Sequence, residues 1–223
     1  MPQGASQRFH PDDALRLFYA VLLPPALQSA IAELQQRLRR HGARVGWGAP
    51  ENLHFTLKFL GEVPARMLLD LRRVGVETAR LCAPTVVTLE GVGAFPNPRH
   101  PRVIWVGTGE GAHQLGHLAR ALHRNLEASA LFLGDSRPFA AHCTIGRVRD
   151  PRDTDGLAAA IGSEASFAPG SLECTEFHLM LSELSRSGPT YGSLARFPLL
   201  AQPRNEEHAH AAGGSESGDR SRA

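Results

Sequence analysis

Residues 52–60 read Asn52-Leu53-His54-Phe55-Thr56-Leu57-Lys58-Phe59-Leu60, with polar and apolar side chains alternating from 52 to 59. Successive side chains of a strand point to opposite faces, so this pattern suits a half-buried strand and fits no helix. Leu53, Phe55, Leu57 and Phe59 form the face to be buried, and His54, Thr56 and Lys58 the face left to a cleft or to solvent. A shorter echo, Ala141-His142-Cys143-Thr144-Ile145-Gly146-Arg147, repeats the His-x-Thr order 88 positions later (142 − 54). Each copy sets an imidazole beside a hydroxyl on one strand face, which is half of an acid/base site. Either copy alone is equally compatible with a histidine merely satisfied by its neighbouring threonine.

The rest of the chain supplies a frame for two such strands. The apolar run 16–23 predicts a strand buried on both faces, ended by Pro24-Pro25. Leu27, Ala30, Ile31, Leu34 and Leu38 recur at helical spacing, with Arg37, Arg39, Arg40 and His41 near the end and Gly42 as the stop. Residues 45–50 are a connector holding Trp47, Gly61 is expected to end the first motif strand, and Pro64 opens a helix with Met67, Leu68, Leu71 and Val74 on its apolar side. Residues 85–92 and 102–108 predict a hairpin around the proline-rich loop 93–101. Leu115, Leu118, Ala119, Leu122 and Leu126 mark a long helix, and the second motif strand falls near 139–148. A short helix over 153–161 and two closing strands, 172–184 and 191–199, complete the order.

A strand and a helix precede each motif strand, so the expected fold is α+β and bilobal. It has two pseudo-symmetric, mainly antiparallel sheets flanking a central cleft, with helices on the outer faces. Residues 1–13 are polar and expected to be flexible, 14–202 to form a single bilobal domain, and 203–223, rich in Gly, Ser, Glu, Arg and His, to be a disordered tail.

Composition narrows the chemistry. With 42% of 223 residues apolar the chain can build a substantial core, and its net charge of +2 permits an anionic partner without demanding one. The 24 basic residues include very little lysine, a bias that suits bidentate phosphate contacts but that a GC-rich gene would also produce. Cys82, Cys143 and Cys174 are widely spaced without C-x-x-C, which fits a reducing cytoplasm and no disulfide framework. No run approaches 18 apolar residues and the N-terminus has no h-region, so neither a membrane span nor a signal peptide is expected. His113 and His117 share a helix face without an acidic third ligand, and His208 and His210 lie in the tail, so no metal is expected. There is no phosphate-binding G-x-x-x-x-G-K loop, hence no ATP site and no cofactor.

Five segments occur in order: Arg16-x-Phe18-x-Ala20, His54 through Val63, Phe95-Pro96-Asn97-Pro98-Arg99-His100-Pro101-Arg102-Val103-Ile104-Trp105, His142 through Arg147, and Ser182-x-Leu184-x-x-x-Gly188-Pro189-x-Tyr191. This succession resembles the bacterial and archaeal RNA 2′,3′-cyclic phosphodiesterases, also called 2′,5′ RNA ligases, of the two-histidine phosphoesterase superfamily. The resemblance spans roughly residues 15–200. It implies a cleft between the lobes with both His-x-Thr strands facing it, no metal, and a substrate that is an RNA 2′,3′-cyclic phosphate end.

Two imidazoles are chemically suited to such a substrate. One takes a proton from the attacking water and the other gives one to the leaving oxygen, opposite states available near the ordinary histidine pKa of about 6.5. The resemblance assigns His54 as general acid toward O3′ and His142 as general base, giving a 2′-phosphate, with Thr56 and Thr144 on the nonbridging oxygens. It also assigns Arg147 to the phosphate. Strict alternation places Arg147 opposite His142, so a bulge or strand end at Gly146 would be needed to re-aim it. Lys58 could add positive potential on the His54 face. Phe18, Trp47, Phe95 and Trp105 could stack on a base, although strand aromatics usually belong to cores, and Cys143 reads as a buried thiol. The rivals are a small cyclic nucleotide as substrate and a non-catalytic RNA-end binding module. A monomer is expected.

Overall fold

The computed structural model describes residues 9–131, 139–185 and 188–200. The expected tail 203–223 and residues 1–8 of the expected N-terminal segment lie outside the described residues. In chain order the elements are β1 (Ala14–Leu22), α1 (Pro25–Arg39), β2 (Val45–Trp47), β3 (His54–Pro64), α2 (Leu68–Ala79), β4 (Thr85–Phe95), β5 (Val103–Thr108), α3 (Ala112–Ala128), β6 (Cys143–Val148), α4 (Asp155–Ser163), β7 (Gly170–Cys174), β8 (Glu176–Ser185) and β9 (Gly188–Pro198). The fold is α+β, as the element pattern predicted.

The two expected sheets are two four-stranded halves of one curled antiparallel sheet, in the order β7-β4-β5-β6-β3-β1-β8-β9. The halves meet at the motif strands through a single residue pair, Phe55 opposite Cys143. These are the middle residues of the two His-x-Thr motifs, so the antiparallel run sets His54 toward Thr144 and Thr56 toward His142. The short β2 pairs with β6 beyond that junction, so part of the predicted connector is a strand.

Helices cover one side of the sheet. α2 and α3 pack together and against β3, β8 and β9, while α1 and α4 pack against β4 and β7. One apolar core from Leu15 to Leu199 runs beneath both halves, consistent with a strand β1 whose odd positions Leu15, Leu17, Tyr19 and Val21 all face it. The buried Tyr19 hydroxyl donates to the Leu71 carbonyl at 2.6 Å, which ties β1 to α2. The opposite side of the sheet is left open at the motif strands.

Several boundaries differ from the sequence reading; the second motif strand, expected near 139–148, begins at Cys143, one residue after His142. Gly61 does not end β3: at φ +75° it absorbs a bulge and the strand runs on to Pro64, a conformation glycine adopts without Cβ strain. Residues 93–95 belong to β4 rather than to the proline-rich loop, because Gly93, Ala94 and Phe95 pair with Trp105, Ile104 and Val103. The single strand expected over 172–184 is two strands divided at Thr175, β7 beside β4 in one half and β8 beside β1 in the other. Alternation within each segment gave no sign that they join different halves.

Candidate active site

The motif strands carry the same irregularity. In β3, Thr56 pairs with Ala20 and Lys58 with Tyr19, leaving Leu57 as an extra residue. In β6, Thr144 pairs with Trp105 and Gly146 with Ile104, leaving Ile145 as an extra residue. Each bulge follows the motif threonine by one position and reverses the facing of what comes next. Opposed residues in an antiparallel pair share a face, so Lys58 joins Tyr19 on the helix side and Phe59 joins Phe18 on the cleft side. This corrects two sequence assignments: Phe59 is 47% exposed and lines the cleft, and Lys58 does not share the face of His54. The same device places Arg147, opposite Val103, on the cleft side with Thr144. The required bulge exists, one residue earlier than Gly146.

α1 secures the second bulge. Gln35 is buried, and its amide donates to the Ile145 carbonyl at 2.8 Å and the Gly48 carbonyl at 2.9 Å. Gly48 N–H donates to the same Ile145 oxygen at 3.0 Å. A carbonyl turned out of the sheet ladder thus gains two donors, which removes the penalty of burying it unpaired.

Both histidines are held alike. Nδ1 of His54 lies 2.7 Å from the Asn52 carbonyl, and Nδ1 of His142 lies 2.7 Å from the Ala140 carbonyl. A carbonyl can only accept, so each Nδ1 carries the proton and each Nε2 is the nitrogen that gains or loses one. Nε2 of His54 is 3.1 Å from the Thr56 hydroxyl. The His54 ring sits against Phe18, centroids 4.9 Å apart, and edge-on to Tyr191 at 5.3 Å. His142 meets Phe95 edge-on at 5.0 Å. Burial is the main cause of a lowered pKa at His54; the Asn52 hydrogen bond opposes it, and the nearby His142 charge lowers it further.

A cavity of about 640 Å³ opens along this face, lined by residues of both halves including His54, Thr56, Thr144 and Arg147. His142 and its ring partner Phe95 are not among the lining residues, although His142 is near enough for its charge to act on His54. No carboxylate lines it among the described residues. Arg16 also lines it and lies over the Phe59 ring at 4.6 Å. Burial raises the Tyr191 phenol, and the Arg147 and Arg16 charges pull it back down, so the two guanidiniums approach Tyr191 from β6 and from β1.

Among the other sequence candidates, Phe18 is buried behind His54, Phe95 is partly exposed, and Trp47 lines the cavity. Trp105 packs on Phe95 at 5.4 Å, with its indole nitrogen buried and without a hydrogen-bond partner among the described residues. Cys143 is fully buried and its thiol is pushed up to about 12, which makes it inert as a nucleophile. Gln35, Arg16 and Phe59 went unread as site residues. Arg16 and Phe59 sat inside quoted motifs, but nothing local distinguishes Gln35 from the other polar residues of α1.

A paired His-x-Thr site at the junction of two antiparallel halves defines the two-histidine phosphoesterase class. Comparison with known proteins gives the family. The LigT-like phosphoesterase model matches residues 21–105. The RNA 2′,3′-cyclic phosphodiesterase of Methanothermobacter thermautotrophicus is 37% identical over 185 residues, covering 83% of this chain and 99% of the relative. That of Thermus thermophilus is 35% identical over 217 residues, covering 92% of this chain and all of the relative. The crystal structure of E. coli LigT complexed with 3′-AMP superposes with a TM-score of 0.66 at 28% identity, over 85% of this chain and all of that one. The chain belongs to the LigT-like phosphoesterase family.

Proposed function

We propose that this chain opens RNA 2′,3′-cyclic phosphate ends to 2′-phosphomonoesters by two-histidine acid/base catalysis. The observation that carries the reading is the matched pair of 2.7 Å Nδ1 anchors, which leaves both Nε2 atoms as the proton-exchanging groups on one sheet face. Nε2 of His142 takes a proton from water as the water oxygen bonds to phosphorus. The bond from phosphorus to O3′ breaks, and Nε2 of His54 gives O3′ its proton, leaving the phosphate on O2′. Thr56 and Thr144 donate to the nonbridging oxygens, and Arg147 offsets the charge developing there.

The lowered pKa of His54 makes its imidazolium a stronger acid once formed, and a bound phosphate anion favours forming it. A 5′-hydroxyl in place of water would give a 2′,5′ linkage by the same transfers, which is the ligase reaction. No step calls for a metal. One chain supplies both histidines, so the reaction needs no second subunit, and three buried free thiols fit a reducing cytoplasm. The names of the relatives, RNA 2′,3′-cyclic phosphodiesterase, support the substrate class.

The test is an oligoribonucleotide ending in a 2′,3′-cyclic phosphate, incubated with the protein in EDTA. The expected product is a 2′-phosphate, formed at least about a hundredfold more slowly with His54→Ala or His142→Ala. No ring opening, or opening that survives both substitutions together, overturns the reading. A 3′-phosphate product would keep the enzyme class and reverse the assignment of acid and base.

A further inference from the structure

A second cavity opens off the catalytic cleft and has no part in the chemistry above. Arg39, Arg44, Trp47 and Arg149 are among its walls. It shares Gly46, Trp47 and Arg149 with the cleft, so the two adjoin at β2. Among the described residues no Asp or Glu lines either part.

Two of the arginines, Arg39 and Arg149, pack against their neighbours. The Arg149 guanidinium lies over Gly46, where an added Cβ would stand 2.6 Å from Nε. The Arg149 N–H donates to the Arg44 carbonyl at 2.7 Å, which joins the approach to β2 to the end of β6. Arg39, in the last turn of α1, lies over the Trp47 ring at 5.4 Å, and Trp47 in turn packs against Gly146. The neighbouring carboxylate, Asp150, is engaged through both oxygens by Arg152 and feels Arg44 only through space. Guanidiniums gathered along a groove with no lining carboxylate repel one another, an arrangement suited to a polyanion that tracks the groove.

We propose that this groove holds the phosphates of the RNA strand upstream of the cyclic end, so that the preferred substrate is an RNA end rather than a free cyclic mononucleotide. The inference rests on the hydrolase reading given above. A cyclic phosphate is the 3′ terminus, so the strand leaves the cleft in one direction only. Arg147 near the end of β6 and Arg149 just beyond it both line the cleft, and Arg149 also lines the second cavity with Arg44 and Arg39. A mononucleotide has nothing to place against the last two.

The experiment compares kcat/KM for a cyclic mononucleotide and for a ten-nucleotide RNA with the same end, in the unchanged chain and in the double variant Arg39→Gln, Arg44→Gln. The variant should lose roughly tenfold on the RNA, through KM, and nothing on the mononucleotide. Retained mononucleotide turnover also shows that the variant folds. Anisotropy with a labelled RNA should show the slope of log affinity against log salt becoming shallower by about 1.4, at ~0.7 per single-strand phosphate contact. Equal loss on both substrates, or no loss on the RNA, overturns the groove. Absence of turnover on both substrates in the unchanged chain falls on the hydrolase reading, and the anisotropy measurement then decides the groove by itself: an unaltered slope overturns it.

Discussion

His54 and His142 are anchored by the same 2.7 Å bond to the carbonyl two residues back, and a bulge follows the motif threonine by one position in both strands. Their surroundings differ. His54 is enclosed by Phe18 and Tyr191, whereas His142 meets Phe95. The residue five places after the histidine, delivered to the cleft by each bulge, is Phe59 in one half and Arg147 in the other. The comparison teaches that the backbone device is duplicated while the side chains it presents have specialised. One half supplies an apolar enclosure that lowers a histidine pKa, and at the position equivalent to Phe59 the other supplies a guanidinium.

The sharpest way to break this comparison is to remove the histidines singly and together. His54→Ala and His142→Ala should each lower kcat by about 10²–10⁴, and the double variant should fall little further, because acid and base act in one transition state. Additive losses in stopped-flow turnover would mean the halves work independently. Next in size, Arg147→Gln should raise KM by roughly tenfold or more, the scale of a lost charge-assisted bond, while Phe59→Leu at the equivalent position should change it far less. Equal effects would erase the proposed specialisation.

Gln35→Leu tests the bulge itself. It strips donors from the Ile145 and Gly48 carbonyls and should cost about 1–3 kcal/mol in urea unfolding. A bulge that needs this support should also lose phosphate affinity, since Arg147 is aimed by it. Unchanged KM in a destabilised Gln35→Leu would show that Arg147 is aimed by β2 and β5 alone.

The smallest effects concern protonation. NMR titration should find the His54 midpoint below the ordinary value of about 6.5, moving upward in His142→Gln as the like charge is removed. Burial also lowers His178. For both groups the unfolded chain binds more protons than the folded one as pH falls below about 6.5, so stability is complete above that pH and declines through the window beneath it. Urea midpoints measured from pH 7 to pH 5 should fall in that direction, and a flat profile would contradict the lowered pKa values.

Much of this molecule was readable from local pattern. The helices around Leu34, Leu71, Leu122 and Leu157 and both motif strands follow from periodicity, because burial of one face repeats at a fixed interval in each element type. The ordered motifs likewise indicated His54, Thr56, His142, Thr144 and Arg147. Alternation fails after Leu57 and Ile145, since a bulge arises from how a strand registers with its neighbour and leaves no local mark. Lys58 and Phe59 were therefore placed on the wrong faces, and Gln35, 110 residues from the carbonyl it satisfies, could not be linked to the site at all.

By itself the sequence determined the two His-x-Thr strands, because the face a side chain takes within an unbroken strand depends only on its neighbours. Tertiary structure decided that the strands meet at Phe55 and Cys143, which residue each bulge turns into the cleft, and that Arg39 and Arg44 line a second cavity adjoining it. Those outcomes depend on cross-strand register and on packing between segments far apart in the chain, which no local period records.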